Sequence, residues 1–365
     1  GERIFQAVGG TARRRRRPEA VWRGMLIAKA RGHRSIPVFI PHLGCPHACV
    51  FCNQRTISGC AEFDEAAVPV LIERALATIP RDCDCQIAFF GGSFTGIDRG
   101  LMLRLLETAA GFVRSGRVSS VRLSTRPDFI DREVLEILSR YPVRTVELGI
   151  QSTSDAVLTA SGRGHTAADS ERACRMVREA GFELVGQMMI GLPLSDAERE
   201  KQTARDLVAF GAEAARIYPT VVFAGTQLEA MTARGTYRPL SLDEAVTRSA
   251  DAYEILNAGG VRCLRIGLCA SEELTDPRLA VAGPNHPALG ELVLGEVRYR
   301  ELARAVAAAG LAGRRVALTV PAGRISQTVG QGRRNLARLE KEYGTVIGSV
   351  GEDARLSDSR LEPME

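Results

Sequence analysis

The chain has 365 residues, of which 45% are hydrophobic and 25% are charged, and its formal net charge is +5. This length favours a barrel of about 250 residues with a smaller appendage over a single small core. No run of about 18 apolar residues occurs and no signal-peptide core follows the basic start, so we expect no membrane association. Nine cysteines, an odd number, favour a reduced cytoplasmic protein without a disulfide framework.

Positive charge is concentrated at the two ends of the chain. Residues 1–41 carry ten basic and two acidic side chains, and residues 297–346 carry ten and three. Basic runs such as residues 13–17 either contact phosphates or remain as solvated tails. We therefore define residues 1–33 as a basic N-terminal segment, for which both alternatives stay open.

Short apolar strands alternate with amphipathic helices along residues 34–270, which is the pattern of a parallel sheet covered by helices. Strands are predicted over 36–40, 86–90, 118–123, 145–150, 183–190 and 214–218. Helices are predicted over 68–79, 101–113, 131–139, 167–179, 196–210 and 243–256, with Asp131 as an N-cap and Gly181 as a stop. These six units predict an α/β fold, a partial (β/α)6 barrel of the TIM type.

Three cysteines stand within eight residues at the end of the first strand, in the run CPHACVFC. A four-iron, four-sulfur cube has four irons to ligate, so Cys45, Cys49 and Cys52 would leave one iron open for chemistry. A structural zinc site that adds His42 or His47 is the alternative, because zinc accepts mixed sulfur and nitrogen ligands. Zinc sites usually pair two C-x2-C knuckles, and the sequence has no second knuckle, which favours the cluster.

Other unusual loop sequences also follow strand ends. They are GGSFTG at 91–96, STRPD at 124–128, ELGIQS at 147–152, GLP at 191–193 and YPT at 218–220. The carboxyl ends of the strands of a parallel barrel share one face, where catalytic loops gather, so we expect these loops around the cysteines. Gly and Pro punctuate strand ends, but that does not explain why Arg126, Glu147 and Gln151 join the glycines there.

The chemistry of these side chains suggests their roles. Gly91 and Gly92 lack side chains, so their backbone can approach a ligand closely and present unpaired carbonyl or amide groups. Arg126 can bind a carboxylate through two parallel hydrogen bonds. Glu147 lies near the end of a buried strand and needs donors, which would be ribose hydroxyls or, alternatively, Arg126 or another barrel arginine.

The C-x3-C-x2-C spacing resembles the signature of radical S-adenosylmethionine (SAM) enzymes. Residues 36–268 resemble more closely the radical-SAM half of the Elongator catalytic subunit, a family that modifies wobble uridines in tRNA, and its small bacterial relatives. The stretches that carry this resemblance include GGSFTG, ELGIQS, STRPDFID (124–131), RGHT (163–166), MMIGLP (188–193) and residues 216–246.

The resemblance implies two cofactors, a [4Fe-4S] cluster ligated by the three cysteines and SAM. It implies Gly91 and Gly92 as the methionine-binding turn with Ser93 beside them, and Glu147 and Gln151 as cofactor contacts. In this family the cluster reduces the sulfonium, and a 5′-deoxyadenosyl radical then takes a hydrogen atom from the substrate. The implied partners are an external electron donor of the flavodoxin or ferredoxin type and tRNA.

The chain also departs from the Elongator pattern. Its C-x3-C spacing is that of the oxygen-independent coproporphyrinogen III dehydrogenases, and no acetyltransferase sequence follows the barrel. Ser124 stands where the Elongator pattern carries glutamate, and Gln187 where it carries histidine. A radical-SAM oxidoreductase acting on a small carboxylated substrate is therefore a second hypothesis, and a zinc-stabilised RNA-binding protein is a third.

Residues 283–350 predict a small basic α+β domain. A helix follows the Pro-rich loop at 283, and a strand at 314–320, a helical segment at 326–343 and a strand at 345–350 come after it. VGQGRRNLARL (329–339) resembles the centre of KH RNA-binding domains, where a Gly-x-x-Gly turn clamps nucleic acid, although Arg333 replaces the second glycine. A helical subdomain that packs on the barrel is the alternative. Residues 351–365 are predicted to be a disordered tail.

Overall fold

The computed structural model describes residues 33–40, 43–45, 49–53, 63–268 and 276–364. The predicted basic segment at 1–33 lies outside these ranges except for His33, and so do His42 and His47. No helix in the described ranges is long and apolar enough to cross a membrane.

A parallel sheet with seven strands in the described residues forms the larger part of the chain. Neighbouring strands follow the chain order from β1 to β6, and β8 pairs with β6 at the far edge. The strands are β1 (His33–Ile40), β2 (Asp84–Gly91), β3 (Ser120–Thr125), β4 (Val143–Gln151), β5 (Glu183–Ile190), β6 (Ala214–Pro219) and β8 (Arg262–Ile266). Parallel strands that neighbour one another in chain order are the arrangement of a TIM-type barrel. The predicted partial TIM-like barrel is therefore confirmed, with one strand more than expected.

Helices occupy the connections between these strands and cover one face of the sheet. They are α1 (Val68–Thr78), α2 (Arg99–Arg114), α3 (Arg132–Leu138), α4 (Asp155–Ala160), α5 (Ala167–Glu179), α6 (Ala197–Ala209), α7 (Gln227–Ala233) and α8 (Leu242–Ala258). The predicted N-cap is confirmed, since Asp131 accepts a hydrogen bond from the Val134 amide at 2.8 Å. A short antiparallel pair, β7 (Val222–Phe223) and β9 (Ala280–Ala282), lies beside the barrel.

The main core lies between the sheet and its helices. Ile72 of α1, Leu106 of α2 and Leu138 of α3 are fully buried and pack against Ile87 and Val146 of the strands in one apolar cluster. Burial of each such side chain contributes about 1.5 to 3 kcal/mol. Because strand side chains alternate between faces, this packing assigns the remaining strand positions to the inner face of the barrel.

A second, smaller unit follows the barrel. Its sheet has β10 (Arg315–Val320) in the centre, β11 (Val346–Glu352) parallel on one side and β12 (Arg360–Pro363) antiparallel on the other. Its helices are α9 (Leu289–Ala308), α10 (Ile325–Val329) and α11 (Arg334–Tyr343). The first half of α9 packs on α8 through Val293 and Val297, so this unit contacts the barrel through α9.

The predicted disordered tail at 351–365 is wrong for the residues of β12. Leu361 pairs with Leu318 of β10 and packs against the apolar cluster of the second unit. A central strand has two hydrogen-bonding edges, and β12 satisfies the edge of β10 that β11 leaves open. The polar composition of the tail concealed this pairing because most of its side chains face solvent.

Candidate active site

The inner face of the barrel carries a buried ion-pair network centred on Glu147 of β4. Arg122 donates to Glu147 Oε1 at 2.7 Å, and Arg216 donates to both carboxylate oxygens at 3.0 and 3.1 Å. Gln187 donates to Oε2 at 2.9 Å. A carboxylate offers about four acceptor positions, so these four bonds leave none for a ligand.

In this network protein donors bond Glu147 in the place where ribose hydroxyls are one of the two expected partners. The side chain is fully buried, and burial by itself raises the pKa of a carboxyl group, but Arg216 and Arg122 outweigh it and hold the pKa of Glu147 below its ordinary value. The alternative, an ion pair with a barrel arginine, is what the structure contains. The partners are Arg122 and Arg216 rather than Arg126.

The loop that bears the cysteines begins at the carboxyl end of β1 and packs on the loop after β2. The Gly92 amide donates to Ile40 O at 2.7 Å, and the Ser93 amide donates to Leu43 O at 3.1 Å. The Cys45 Sγ lies 3.5 Å from the hydroxyl of Ser93, which is buried. The structure therefore places Ser93 beside a predicted cluster ligand.

The glycines of GGSFTG approach the cysteine loop itself. A Cβ on Gly92 would lie 2.0 Å from Leu43 O, and a Cβ on Gly91, whose φ is +108°, would lie 2.8 Å from Ile40 O. The close approach expected of these glycines is therefore present, but its partner is the backbone of the neighbouring loop. The Gly92 amide is bonded there, so it is not one of the unpaired carbonyl or amide groups expected of Gly91 and Gly92.

We expect Gly92→Ala to displace the cysteine loop, because no side chain atom fits 2.0 Å from a carbonyl oxygen. The variant should take up at least about tenfold less iron on anaerobic reconstitution, the size of effect seen when supports of metal ligands are lost. Gly111→Ala is the control, since Gly111 lies within α2 and its nearest foreign atom to an added Cβ is 3.9 Å away. Iron uptake by Gly92→Ala equal to that of Gly111→Ala would contradict the assignment.

The far side of the cysteine loop is also anchored. The Val50 amide donates to Ser161 O at 3.1 Å, and Val50 O accepts from the Leu228 amide at 2.8 Å. The Val50 side chain packs with Val222 and Tyr237. The segment between Cys49 and Cys52 is thereby tied to α4 and α7, which places it over the rim of the barrel.

Arg126 already has a carboxylate partner within the protein. It donates to both oxygens of Asp128 at 2.9 Å, and its Nη2 also donates to the carbonyl of Arg163. Burial would raise the pKa of Asp128, but Arg126 outweighs it and the pKa lies below the usual value. The Nη1 of Arg126 is buried and has no partner among the described residues, so one donor remains for a ligand.

Arg163 and His165, in the RGHT stretch, are residues of the site that the sequence analysis did not identify. Arg163 is buried, and its Nη1 donates to the Cys49 Sγ at 3.3 Å. His165 is buried beside it, and burial together with the Arg163 charge lowers the pKa of His165 to about 4, so its ring is neutral at physiological pH. The signal that could have found them was the position of RGHT directly after a short helix at the rim.

Gln151 ends β4 in a strained backbone conformation. Its φ is +66°, which non-glycine residues seldom adopt, and its side chain is buried with Oε1 unpartnered. The Gln151 side chain fits there because residue 149 is glycine, since a Cβ on Gly149 would lie 2.9 Å from the side-chain nitrogen Nε2 of Gln151. Buried polar atoms are normally bonded, so a group of unpartnered ones indicates a place for a polar ligand. Here they are Arg126 Nη1, Gln151 Oε1, Arg163 Nε and His165 Nδ1.

Among the described residues, no three His, Cys, Asp or Glu side chains converge closely enough to ligate a single metal ion. Zinc–sulfur bonds of about 2.3 Å would require such convergence of the cysteines. A cube is different, because each of its thiolates binds a different iron. The histidines proposed for the zinc alternative, His42 and His47, lie outside the described ranges.

A cavity of about 490 Å³ lies next to the same rim, where β5 ends. It is lined by the GLP residues from Gly191 onward and by Tyr237, whose hydroxyl donates to Gly191 O at 2.7 Å. A buried ion pair between Glu200 and Arg248 supports its wall, and Glu200 also accepts from the Gly191 amide. Tyr237 packs with Val50 of the cysteine loop, so the cavity lies beside that loop.

Two family models match this chain, and together they cover the barrel and the beginning of the unit that follows it. The Radical SAM superfamily matches residues 39–205, and the Radical SAM C-terminal domain matches residues 212–299. An uncharacterized protein of Methanocaldococcus jannaschii is 28% identical over 239 residues, which is 61% of this chain and 71% of that protein.

Two further comparisons are with a curated protein and with a solved structure. The tRNA uridine(34) acetyltransferase of Methanocaldococcus jannaschii is 30% identical over 133 residues, which is 36% of this chain and 25% of that protein. The chain therefore spans about a quarter of that relative. The solved structure of Methanocaldococcus infernus Elp3 with an N-terminal deletion has a TM-score of 0.59 at 22% identity, covering 74% of this chain and 63% of that chain, and shows the same fold.

Proposed function

We propose that the chain is a radical SAM enzyme, as the match of the Radical SAM superfamily to residues 39–205 supports, and that it cleaves SAM at a [4Fe-4S] cluster held by Cys45, Cys49 and Cys52. The observation that carries this proposal is the position of the anchored three-cysteine loop at the carboxyl rim of the barrel, next to buried polar atoms without protein partners. When bound, the cluster supplies the electron that breaks a carbon–sulfur bond of SAM. A reduced cytoplasm and a flavodoxin or ferredoxin as electron donor fit this chemistry.

The side chains around the loop suggest how SAM is held. The methionine part of SAM carries an ammonium group, which needs acceptors, and a carboxylate, which needs donors. Gln151 Oε1 and Arg126 Nη1 are an acceptor and a donor without protein partners. We assign them to these two groups, and we retain Gly91 and Gly92 as the methionine-binding turn through their carbonyl groups. We assign no ligand group to Glu147, because its carboxylate pairs with Arg122 and Arg216 on the inner face of the barrel.

We propose tRNA as the substrate. The similarity to a tRNA uridine(34) acetyltransferase supports this assignment, although the shared part covers a quarter of that protein and gives no reason to propose acetyl transfer here. The second unit adds an exposed basic turn, in which Gly330, Gly332 and Arg333 have positive φ and Arg334 follows. Arg338 is not part of this surface, because it stacks 3.6 Å from the Tyr299 ring centroid and pairs with Glu296.

The experiment that tests this function is the formation of 5′-deoxyadenosine by reconstituted enzyme with SAM and a reductant. Total tRNA should stimulate it at least about tenfold over enzyme alone, because a bound substrate provides the hydrogen atom that makes cleavage productive. Coproporphyrinogen is the parallel arm for the second hypothesis. Stimulation by the porphyrinogen and not by tRNA would replace the tRNA proposal, and no cleavage under any condition would refute the function.

Binding of tRNA should depend on the basic turn. We expect the double variant Arg333→Ala, Arg334→Ala to retain tRNA more weakly and to lower the slope of log K against log salt by about two, one for each lost phosphate contact. Arg355→Ala, Arg360→Ala removes the same charge from exposed positions outside the turn and should leave the slope unchanged. The comparison is made by filter retention over a range of salt concentrations. Equal slopes for the two double variants would remove the turn from the RNA surface.

A further inference from the structure

Arg163 is a buried cation without a carboxylate partner. Its exposed fraction is 6%, and none of the ion pairs formed by the described residues includes it. The neighbouring arginine, Arg126, differs because Asp128 neutralises it. A guanidinium group that has left water without a counter-charge destabilises the fold unless another anion approaches it. An anion is therefore expected next to Arg163 in the working enzyme.

The hydrogen bonds of Arg163 identify the direction of that anion. Its Nη1 donates to the Cys49 Sγ at 3.3 Å, its Nη2 donates to Gly149 O, and its Nε has no partner among the described residues. The absence of a side chain on Gly149 permits this approach, since a Cβ there would lie 3.3 Å from Nη2. The guanidinium group is thus held between the end of β4 and a predicted cluster ligand.

The backbone of Arg163 is fixed as well. Its amide donates to Leu158 O at 3.0 Å, and its carbonyl accepts from Arg126. The other titratable group packed against it, His165, has a neutral ring and supplies no competing charge. The Asp128 carboxylate lies 3.9 Å from the His165 ring and is bound by Arg126. The positive charge of Arg163 is therefore directed at the cysteine loop.

We propose that Arg163 compensates the negative charge of the iron–sulfur cluster and raises its reduction potential. This inference rests on the proposed function. A cube with three thiolates is an anion, and reduction adds one electron from the external flavodoxin or ferredoxin without moving a proton. Net charge and hydrogen bonds to the sulfurs set the potential of such clusters, so a fixed cation at the Cys49 thiolate favours the reduced form. Arg163 would thus act through the Cys49 thiolate, without contact with the substrate.

The test is a redox titration of anaerobically reconstituted enzyme, followed by electron paramagnetic resonance, without SAM or tRNA. Arg163→Met should lower the equilibrium constant for cluster reduction at least tenfold, which corresponds to a potential about 59 mV more negative for one electron. Arg163→Lys keeps the charge and should shift the potential less. Arg144→Met is the control, because Arg144 is 53% exposed at the start of β4 and its loss changes the net charge equally.

The outcomes separate this inference from the proposed function. An unchanged potential in Arg163→Met, with a full complement of iron, would overturn the role of Arg163 while leaving the cluster in place. If Arg163→Met holds no cluster, Arg163→Gln carries the test, because glutamine keeps a donor for the thiolate and loses only the charge. Failure of the unmodified enzyme to bind iron would instead refute the proposed function.

Discussion

Replacement of Cys49 by alanine is expected to abolish both iron binding and the cleavage of SAM. The cysteine loop supplies three thiols and a cube needs a protein ligand on three of its irons, so two remaining thiols leave a second iron unprotected. Loss of a residue that merely supports a metal ligand costs about 10- to 100-fold, so loss of the ligand itself should cost more than about 100-fold in 5′-deoxyadenosine formation. The same result is expected for Cys45→Ala and Cys52→Ala.

The matched control is Cys83→Ala. Cys83 precedes β2 and therefore lies at the opposite, amino end of the parallel sheet, while the chemical change is the same. Iron content, visible absorption and 5′-deoxyadenosine formation of this variant should equal those of the unmodified enzyme. Retention of the cluster by all three single variants at the rim would show that the predicted ligands are not ligands.

Substitution of Glu147 by glutamine is expected to destabilise the barrel by about 3 to 5 kcal/mol. The variant leaves the buried Arg122 and the partly buried Arg216 with an amide in place of their shared carboxylate. Removal of one partner from a buried ion pair costs about this much. Glu183→Gln is the control, because Glu183 is 41% exposed and its ion pair with Arg144 spans 3.7 Å. Exposed pairs contribute at most about 1 kcal/mol. Denaturant unfolding of the two variants measures the difference.

The same network predicts a pH dependence of the unfolding free energy. The pKa of Glu147 is lowered in the folded chain relative to an ordinary glutamate, so its contribution is complete above about pH 4.3, the value for the unfolded chain. The contribution is lost as the pH falls through the lower folded pKa. The difference in stability between the unmodified protein and Glu147→Gln should therefore shrink below about pH 4. A difference that stays constant from pH 7 to acid, or a variant as stable as Glu183→Gln, would contradict the network.

Much of the barrel could be predicted from the sequence because its signals are local. The spans predicted for β5 and α5 match the observed ones at both ends, because the apolar patterns and the glycine stop at Gly181 lie within a few residues of the elements they define. The prediction that the functional loops gather at one rim also followed from the alternation of strands and helices along the chain. Parallel strands separated by helices have all their carboxyl ends on one side.

The contacts that decide the site could not be predicted, because they join distant parts of the chain. Glu147 needed donors, but which arginines reach it depends on how β3, β4 and β6 curl around one another. Gly92 needed a close neighbour, and its identity depends on how the cysteine loop returns across β2. Arg163 gained its position only when α4 brought it under the Cys49 thiol. In each case the residue type indicates that a contact is needed, but only the three-dimensional structure shows which residue makes it.

Chemical analysis of anaerobically reconstituted protein for iron and acid-labile sulfide tests the central claim most directly. The account predicts about four irons and four sulfides for each chain, since three thiolates at the rim suffice to hold one complete cube. Protein that binds zinc in place of iron, or that retains neither iron nor sulfide after reconstitution, would contradict it.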